Sequence, residues 1–393
     1  MTSLPPAADG DTAPPLLERL RQDRPRIPVT VCLIAVNVAV FAAMLSVGAG
    51  LWHTSNSVQL AWGANFGPAT GEGQWWRLGT AAFLHFGLVH LAMNMWALWD
   101  CGQFVERLYG RWRFAVLYAA SALLGNLVSL VLHGGQAISG GASGAIFGVI
   151  GALRVALWRR RGEVHPAEFR WLFWGATGFA GLTIAMGLMI TGIDNAAHIG
   201  GLVGGLLVGA GLGDGAMAPP PRVIRLAAVG LLVAMLGGLL DHLPAPAYRW
   251  SDERRARDEI REFLGEDRQI SARWESILRE GRRGGLSFEQ LAGRIESDVT
   301  ERYEDSFDQL SALQLNPATP SAGTVDTLRR YAEQRRDASL AFADALRAQD
   351  AEQARKALDQ ARQASRALLQ PTPAAAGRAP ATFEGAAKGP RSR

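Results

Sequence analysis

Apolar residues gather into seven runs over the first 243 positions, at roughly 29–50, 84–104, 113–133, 142–158, 170–191, 196–213 and 223–243. Each is near the length an α-helix needs to cross a hydrocarbon core about 30 Å thick. The fourth and sixth runs are short and interrupted by glycine, a pattern that lines cavities in membrane proteins. Past Leu243 the pattern changes to Arg, Glu, Asp, Gln and Ala. There Ser287-Phe288-Glu289-Gln290 has the form of a capping box that opens a helix. Asn316-Pro317-Ala318-Thr319-Pro320 breaks that helix, and a helical stretch then runs from about Thr324 to Leu369. The expected fold class is all-α: a polytopic membrane helical bundle with a small soluble α-helical C-terminal domain, a hairpin or bundle whose charges form a solvated face.

The same shifts set expected boundaries. Residues 1–27 form a disordered leader, 28–213 a six-span core, 214–243 a linker and seventh span, 244–370 the helical domain and 371–393 a disordered tail. The leader lacks the basic-then-apolar pattern of a cleaved signal peptide. Lys and Arg of short loops orient membrane helices toward the cytoplasm. Arg19, Arg21, Arg24 and Arg26 precede the first run, Arg107, Arg111 and Arg113 join the second and third, and Arg159-Arg160-Arg161 follow the fourth. Arg170 precedes the fifth, and Arg222 and Arg225 open the seventh. All fall on one side, whereas 133–141 and 191–195 hold no Lys or Arg. The long loop 51–80 faces outward, with Trp75, Trp76 and Arg77 suited to an interface. The N-terminus is therefore expected in the cytoplasm and the C-terminal domain outside it.

Composition changes this picture little. The chain of 393 residues is 48% hydrophobic and 19% charged, an average over two unlike halves. Its net charge of +4 comes with many basic residues in orienting loops, so no nucleic-acid partner is expected. Two cysteines, Cys32 and Cys101, both within apolar runs, imply no disulfide framework.

Polar residues inside the runs carry the chemistry, because burying them in lipid is costly. Ser143 opens the fourth run, His198 lies at the start of the sixth, and His85, His90 and Asn94 lie in the second. At 1.5 Å per residue, Ser143 lies roughly 22 Å above Trp158, His198 roughly 24 Å above Asp214, and His90 and Asn94 roughly 24 and 18 Å above Glu106. All four thus share a depth beneath the outer surface. His90 and Asn94 are i and i+4 on one face. Gly201 and Gly205 share the face of His198, with Gly209 continuing the ridge, and Gly144 and Gly148 make a matching ridge beside Ser143. Such small-residue faces let two helices approach closely, bringing Ser143 toward His198. Singly, the serine and glycines read as packing and His90 and Asn94 as interhelical glue. Together they form the parts of a nucleophilic site for peptide-bond cleavage. A metal site at His85, His90 and His198 lacks an Asp, Glu or Cys at the same level, so neither a metal nor a cofactor is expected. His53, His133, His165 and His242 read as ordinary loop residues. A transporter would carry inverted repeats, and none is seen.

His85-Phe86-Gly87-Leu88-Val89-His90-Leu91-Ala92-Met93-Asn94 resembles the second-span motif of the rhomboid intramembrane proteases. Gly141-Ala142-Ser143-Gly144 is similar to their nucleophile motif, and Ala197-His198-Ile199-Gly200-Gly201 resembles their sixth-span histidine motif. Trp76-Arg77 and Glu106 with Gly110 also fit, and the resemblance covers about residues 28–213. It implies a serine endopeptidase with Ser143 as nucleophile and His198 as general base, without an acidic third member. The oxyanion would be held by the Ser143 N–H with His90 and Asn94. His85, Phe147, Gly141, Gly144, Gly201 and Gly205 would shape the site. Phe147 stands where the family usually has a tyrosine, which keeps the ring contact and loses the hydroxyl. Single-span membrane proteins would be the substrates, entering from the bilayer between the second and fifth spans and cut near the extracytoplasmic face. The resemblance leaves open a catalytically silent relative that binds membrane helices. A seventh span fits a six-plus-one arrangement. A multi-pass protein of a bacterial plasma membrane is expected, with the C-terminal domain offering a surface to an extracytoplasmic partner.

Overall fold

The computed structural model describes residues 14–215 and 219–369. The expectations for the first thirteen residues and for the tail from Pro371 lie outside the described residues. Among the described residues the secondary structure is helical, with one isolated bridge between Asn65 and Ser139. The chain divides into two compact units, Met1–Pro246 and Ala247–Arg393.

The first unit contains α1 (Pro28–Ser46), α2 (Leu88–Tyr109), α3 (Arg111–Leu132), α4 (Ser143–Arg159), α5 (Pro166–Met189), α6 (Asn195–Leu212) and α7 (Arg222–Asp241). Five of these, α1, α3, α5, α6 and α7, are each long and apolar enough to cross a bilayer. Helix α2 qualifies jointly with Arg77–Phe83, to which it is bent by 93°. Helix α4 has only 17 residues. The second apolar run begins at 84, but residues 84–87 are not helical. The Thr54 N–H donates to the Phe86 carbonyl and the Leu88 N–H to the Leu51 carbonyl. His85 therefore sits on an extended segment before α2 rather than on the helix.

Helices α3, α4 and α6 form the centre. Phe114, Leu117, Ile146, Phe147, Ile150 and Leu157 are among its buried side chains. Helices α5 and α7 bury little: Phe173 and Ala180 on α5, Ala228 on α7. Phe169, Leu172, Phe179 and Ile184 of α5 pack partly against the core, while Trp171, Trp174, Leu182 and Leu188 of α5 and Val223, Leu226, Leu231 and Val233 of α7 face outward, as on lipid-facing helices. Conserving backbone hydrogen bonds in an apolar medium demands such closed helices. Polar groups secure the ends. The Glu106 carboxylate accepts from the Val29 and Thr30 N–H groups at 2.9 and 2.7 Å, capping α1. The Arg160 guanidinium grips Asp214 with two hydrogen bonds, at 3.1 and 2.9 Å.

Two expectations need correction here. The disordered leader does not extend to residue 27, because Leu16–Asp23 form a helix with Leu16 and Leu20 buried. These leucines are i and i+4 on one face, and Glu168 accepts from the Leu16 N–H at 2.7 Å. Arg77 is not an interface residue. It is buried within the 51–80 loop, donating to the Leu60 and Ala64 carbonyls at 2.9 and 3.1 Å, while Trp75 and Trp76 stay exposed.

The second unit contains α8 (Trp250–Arg283), α9 (Phe288–Ile295), α10 (Glu301–Ala312), α11 (Ala322–Arg347) and α12 (Ala351–Leu369). The capping box at Ser287 and Gln290 is formed, and a π-turn over Glu296–Thr300 joins α9 to α10. Phe263, Ile270, Trp274 and Ile277 of α8, spaced 7, 4 and 3 apart, enter a core with Tyr303, Tyr331 and Phe342. The stretch from Thr324 to Leu369 is two helices rather than one. Gln349 adopts φ 52°, and Asp350 accepts from the Glu352 and Gln353 N–H groups, so it caps a new helix. The unit's charges are not all solvated either. Glu253 is fully buried, accepting from the Ser321 N–H at 2.9 Å and its hydroxyl at 3.0 Å.

Candidate active site

Ser143 is the first residue of α4, at the end where helix N–H groups lack intrahelical acceptors. The turn before it depends on Gly141, whose φ of 142° disfavours any side chain. A Cβ there would also lie 2.9 Å from Cε1 and 3.1 Å from Nε2 of His90. The His90 ring therefore rests directly on the loop that leads to Ser143. The Gly141 N–H donates to the Ala81 carbonyl at 2.8 Å, fixing that loop.

His198 lies one turn into α6, with its backbone N–H donating to the Asp194 carbonyl at 3.1 Å. Its Nε2 is 2.9 Å from the Ser143 Oγ, within hydrogen-bond reach. Phe147, one turn beyond Ser143 on α4, stacks on the imidazole with centroids 4.3 Å apart and planes 1° from parallel. The histidine is 3% exposed, and its Nδ1 has no hydrogen-bond partner among the described residues. Stacking and burial, rather than a carboxylate, hold this ring.

The close approach of α4 and α6 explains the pairing. A Cβ on Gly201 would lie 1.9 Å from the Gly144 carbonyl oxygen, and one on Gly205 equally close to that of Gly148. Gly209 continues the crossing against Ala152. The ridge is shared with α3, since a Cβ on Gly125 would lie 2.7 Å from the Ala197 carbonyl oxygen. Backbone meets backbone along the crossing, the geometry small-residue faces permit.

The remaining residues are distributed less evenly. His90 Nδ1 accepts a long hydrogen bond, 3.5 Å, from the Phe86 N–H. A neutral ring that accepts at Nδ1 carries its proton on Nε2, the nitrogen beside Gly141. Asn94 is buried, but its amide donates to the His90 carbonyl one turn back, at 3.1 Å. His85 packs edge-on against His90, with centroids 5.0 Å apart, and is fully buried. His165 caps α5, and His53 and His242 stand apart from the cluster.

Asp194 was not singled out by the sequence reading. It caps α6 through the Ala197 N–H at 2.9 Å, and accepts from the hydroxyls of Ser129 on α3 and Ser139 in the loop before Ser143. His133 Nδ1 lies 3.9 Å away. One carboxylate thus ties the start of the histidine helix to the serine loop. An Asp just before an apolar helical run is an N-cap signal that sequence offers; its two serine partners are set only by the fold.

A Ser–His pair at a helix N-terminus, inside a bundle of apolar helices, has the parts for acyl transfer. Comparison with known proteins places the chain in a family. The family model of the rhomboid domain matches residues 72–215. The chain is 37% identical over 227 residues to the rhomboid protease GluP of Bacillus subtilis, covering 56% of this chain and 42% of that protein. It is 30% identical over 202 residues to the rhomboid protease AarA of Providencia stuartii, covering 46% of this chain and 71% of that protein. To RHOMBOID-like protein 9, chloroplastic, of Arabidopsis thaliana it is 34% identical over 156 residues, 39% of this chain and 35% of that protein. The chain belongs to the rhomboid family, and its first unit is the helical bundle that family membership implies. It spans less than half the length of the first of these relatives.

Proposed function

We propose that this protein is an intramembrane serine endopeptidase that cleaves transmembrane helices with a Ser143–His198 dyad. The observation that carries the reading is the 2.9 Å approach of His198 Nε2 to Ser143 Oγ under the parallel Phe147 ring. With its proton on Nδ1, His198 accepts the hydroxyl proton of Ser143 at Nε2 as Oγ attacks the scissile carbonyl carbon. The carbonyl π electrons move to oxygen. The resulting oxyanion meets the Ser143 N–H at the positive end of α4 and the His90 Nε2–H. Collapse expels the amine, which takes the proton from His198, and leaves an ester on Ser143. Water then gives its proton to His198 and attacks the ester; the acid departs and Ser143 regains its proton. Asn94 takes part once its amide turns from the His90 carbonyl toward the oxyanion.

Residues 28–213 form the proteolytic core in this reading, 214–243 the linker and seventh span, and 244–370 an extracytoplasmic helical domain. The N-terminus is cytoplasmic, and cleavage falls near the extracytoplasmic face of a bacterial plasma membrane. Substrates are single-span proteins reaching the site from the bilayer between α2 and α5.

Cleavage of a single-span reporter by the full chain in proteoliposomes tests this. Wild type cleaves; Ser143→Ala and His198→Ala do not, while both keep wild-type helicity. His90→Ala and Asn94→Ala cut more slowly, each by no more than the ~2.7–4 kcal/mol that loss of one preorganised donor costs. Wild-type turnover in either dyad variant rejects the assignment. Capture of the helix by wild type without any cleavage would make the protein a silent binder.

A further inference from the structure

The second unit holds a cleft that the proteolytic reading does not use. Helices α8 and α12 both pack on α11, and between them lies a cavity of about 450 Å³. Five arginines line it: Arg279 and Arg282 from α8, Arg335 from α11, Arg362 and Arg366 from α12. Glu275 is the one carboxylate in the lining. Arg335 lies at its floor, only 6% exposed. Its Nε donates to the Tyr303 hydroxyl at 3.1 Å, and Nη1 to the Ala361 carbonyl and the Ser365 hydroxyl, both at 3.3 Å. The guanidinium lies 5.8 and 5.2 Å from the Trp274 and Tyr303 ring centroids. No carboxylate touches it among the described residues. Asp267 is reached only through Tyr303, whose hydroxyl donates to it at 2.8 Å.

A buried cation without a contacting anion is costly, and more like charges at the rim add to the cost. The rim offers little relief. Arg279 pairs with Glu275 at 3.6 Å and Arg362 with Asp359 at 3.2 Å, both exposed pairs on one helix and therefore weak. Arg282 and Arg366 have no carboxylate within ion-pair distance among the described residues. We propose that this cleft is a docking site for an acidic peptide segment, with carboxylates alternating with apolar side chains.

The lining selects that chemistry. Guanidinium groups hold carboxylates through paired hydrogen bonds. Trp274, Leu278 and Leu358 supply apolar wall between the arginines. A lone tetrahedral anion engages two or three guanidinia and leaves that wall and the other cations unused. A flat membrane surface does not reach Arg335 at the floor. The chain's own tail carries the wrong charge: beyond Leu369, Arg378, Lys388, Arg391 and Arg393 stand against Glu384 alone.

The test uses the full chain in nonionic detergent and a fluorescent decapeptide of Glu alternating with Leu and Ala, read by polarisation. Saturable binding is expected, at least tenfold weaker for the Gln-for-Glu peptide and for an Arg282→Glu/Arg366→Glu variant, and weakened by salt. Both substituted positions are exposed, so folding should survive, and unchanged helicity and hydrogen exchange check that it does. Three results overturn the proposal. One is the absence of saturable binding. Another is equal binding by the folded charge-reversed variant. The third is displacement of the peptide by inorganic phosphate or phosphatidylglycerol vesicles at lower concentration than unlabelled peptide.

Discussion

Helix α6 of the first unit and helix α8 of the second each pack against several neighbouring helices, yet they bury opposite kinds of residue. Helix α6 buries Gly200, Gly201, Gly204, Gly205 and Gly209 with Ala196, Ala197 and His198. Helix α8 buries Phe263, Ile270, Trp274 and Ile277. In water, large apolar side chains drive association, because hiding them removes apolar surface from solvent. In lipid that drive disappears, since acyl chains are as apolar as leucine. What remains is close contact and hydrogen bonding, and on α6 the smallest residues are the ones buried. The comparison teaches that the site owes its geometry to absent side chains. Ser143 and His198 meet because nothing stands between α4 and α6.

The strongest way to break this comparison is to put a side chain into the ridge. Gly205→Val would place a branched group where even a Cβ lies 1.9 Å from the Gly148 carbonyl oxygen. The helices must separate, at a cost at or above the ~1–3 kcal/mol usual for overpacking. Hydrogen exchange resolved by peptide should show α3, α4 and α6 losing protection while α8 to α12 keep theirs. Reporter cleavage should be lost as well. A Gly205→Val protein with native exchange in α4 and α6 would show that the crossing tolerates bulk, and the contrast with α8 would collapse.

The second unit should break through a side chain instead. Glu253→Ala removes the acceptor of the Ser321 N–H and hydroxyl and the partner of Arg257. Charged hydrogen bonds of this kind are each worth about 1.5–3 kcal/mol. A loss of about 2–4 kcal/mol, seen as faster exchange at the start of α8 and α11, is expected. Exchange in the first unit should not change. Equal loss in both units would mean that they do not unfold independently.

Asp194 sharpens the comparison, because there the first unit does rely on a side chain. Asp194→Ala removes an N-cap, worth about 0.5–2 kcal/mol, and also the link between α6 and Ser139. Cleavage should fall more than stability does, since the serine loop and the histidine helix lose their common tie. Asp194→Asn, which can still accept from the Ala197 N–H, should recover stability first and turnover only in part. If Asp194→Ala left turnover unchanged, packing alone would suffice to align the pair.

The meeting of Ser143 with His198 and the facing glycine ridges are legible in sequence because helical rise and period fix them. The same arithmetic cannot place a residue outside a helix, which is why His85 belongs to an extended segment and Asp194 escapes notice. Asp194 gains meaning only from Ser129 and Ser139, 65 and 55 positions away. Helix α8 is hidden by its charges, although Phe263, Ile270, Trp274 and Ile277 keep a heptad-like spacing. The break at Gln349 is signalled only by Asp350, one polar residue among many. The leader helix is short, and burial rather than propensity holds it.

The smallest effect is expected at the surface of the second unit, where side-chain contacts are not buried. Arg347 grips both oxygens of Glu296 across the join of α9 and α10 and also reaches Glu289. The hydrogen bonds from Arg347 hold the Glu296 carboxyl below its ordinary value. Glu296 is thus easier to ionise in the folded state than in the unfolded chain. Its contribution is complete above the unfolded carboxylate range, near pH 4.3, and is lost as pH falls through the depressed folded value. Arg347→Ala should therefore lower the thermal midpoint of the second unit slightly at pH 7, less at high salt. Below the folded value the variant and wild type should converge. A gap that stays constant from pH 7 to pH 2.5 would mean that Arg347 acts by packing its stem rather than by charge. The second unit would then be held by buried apolar contact even at its rim.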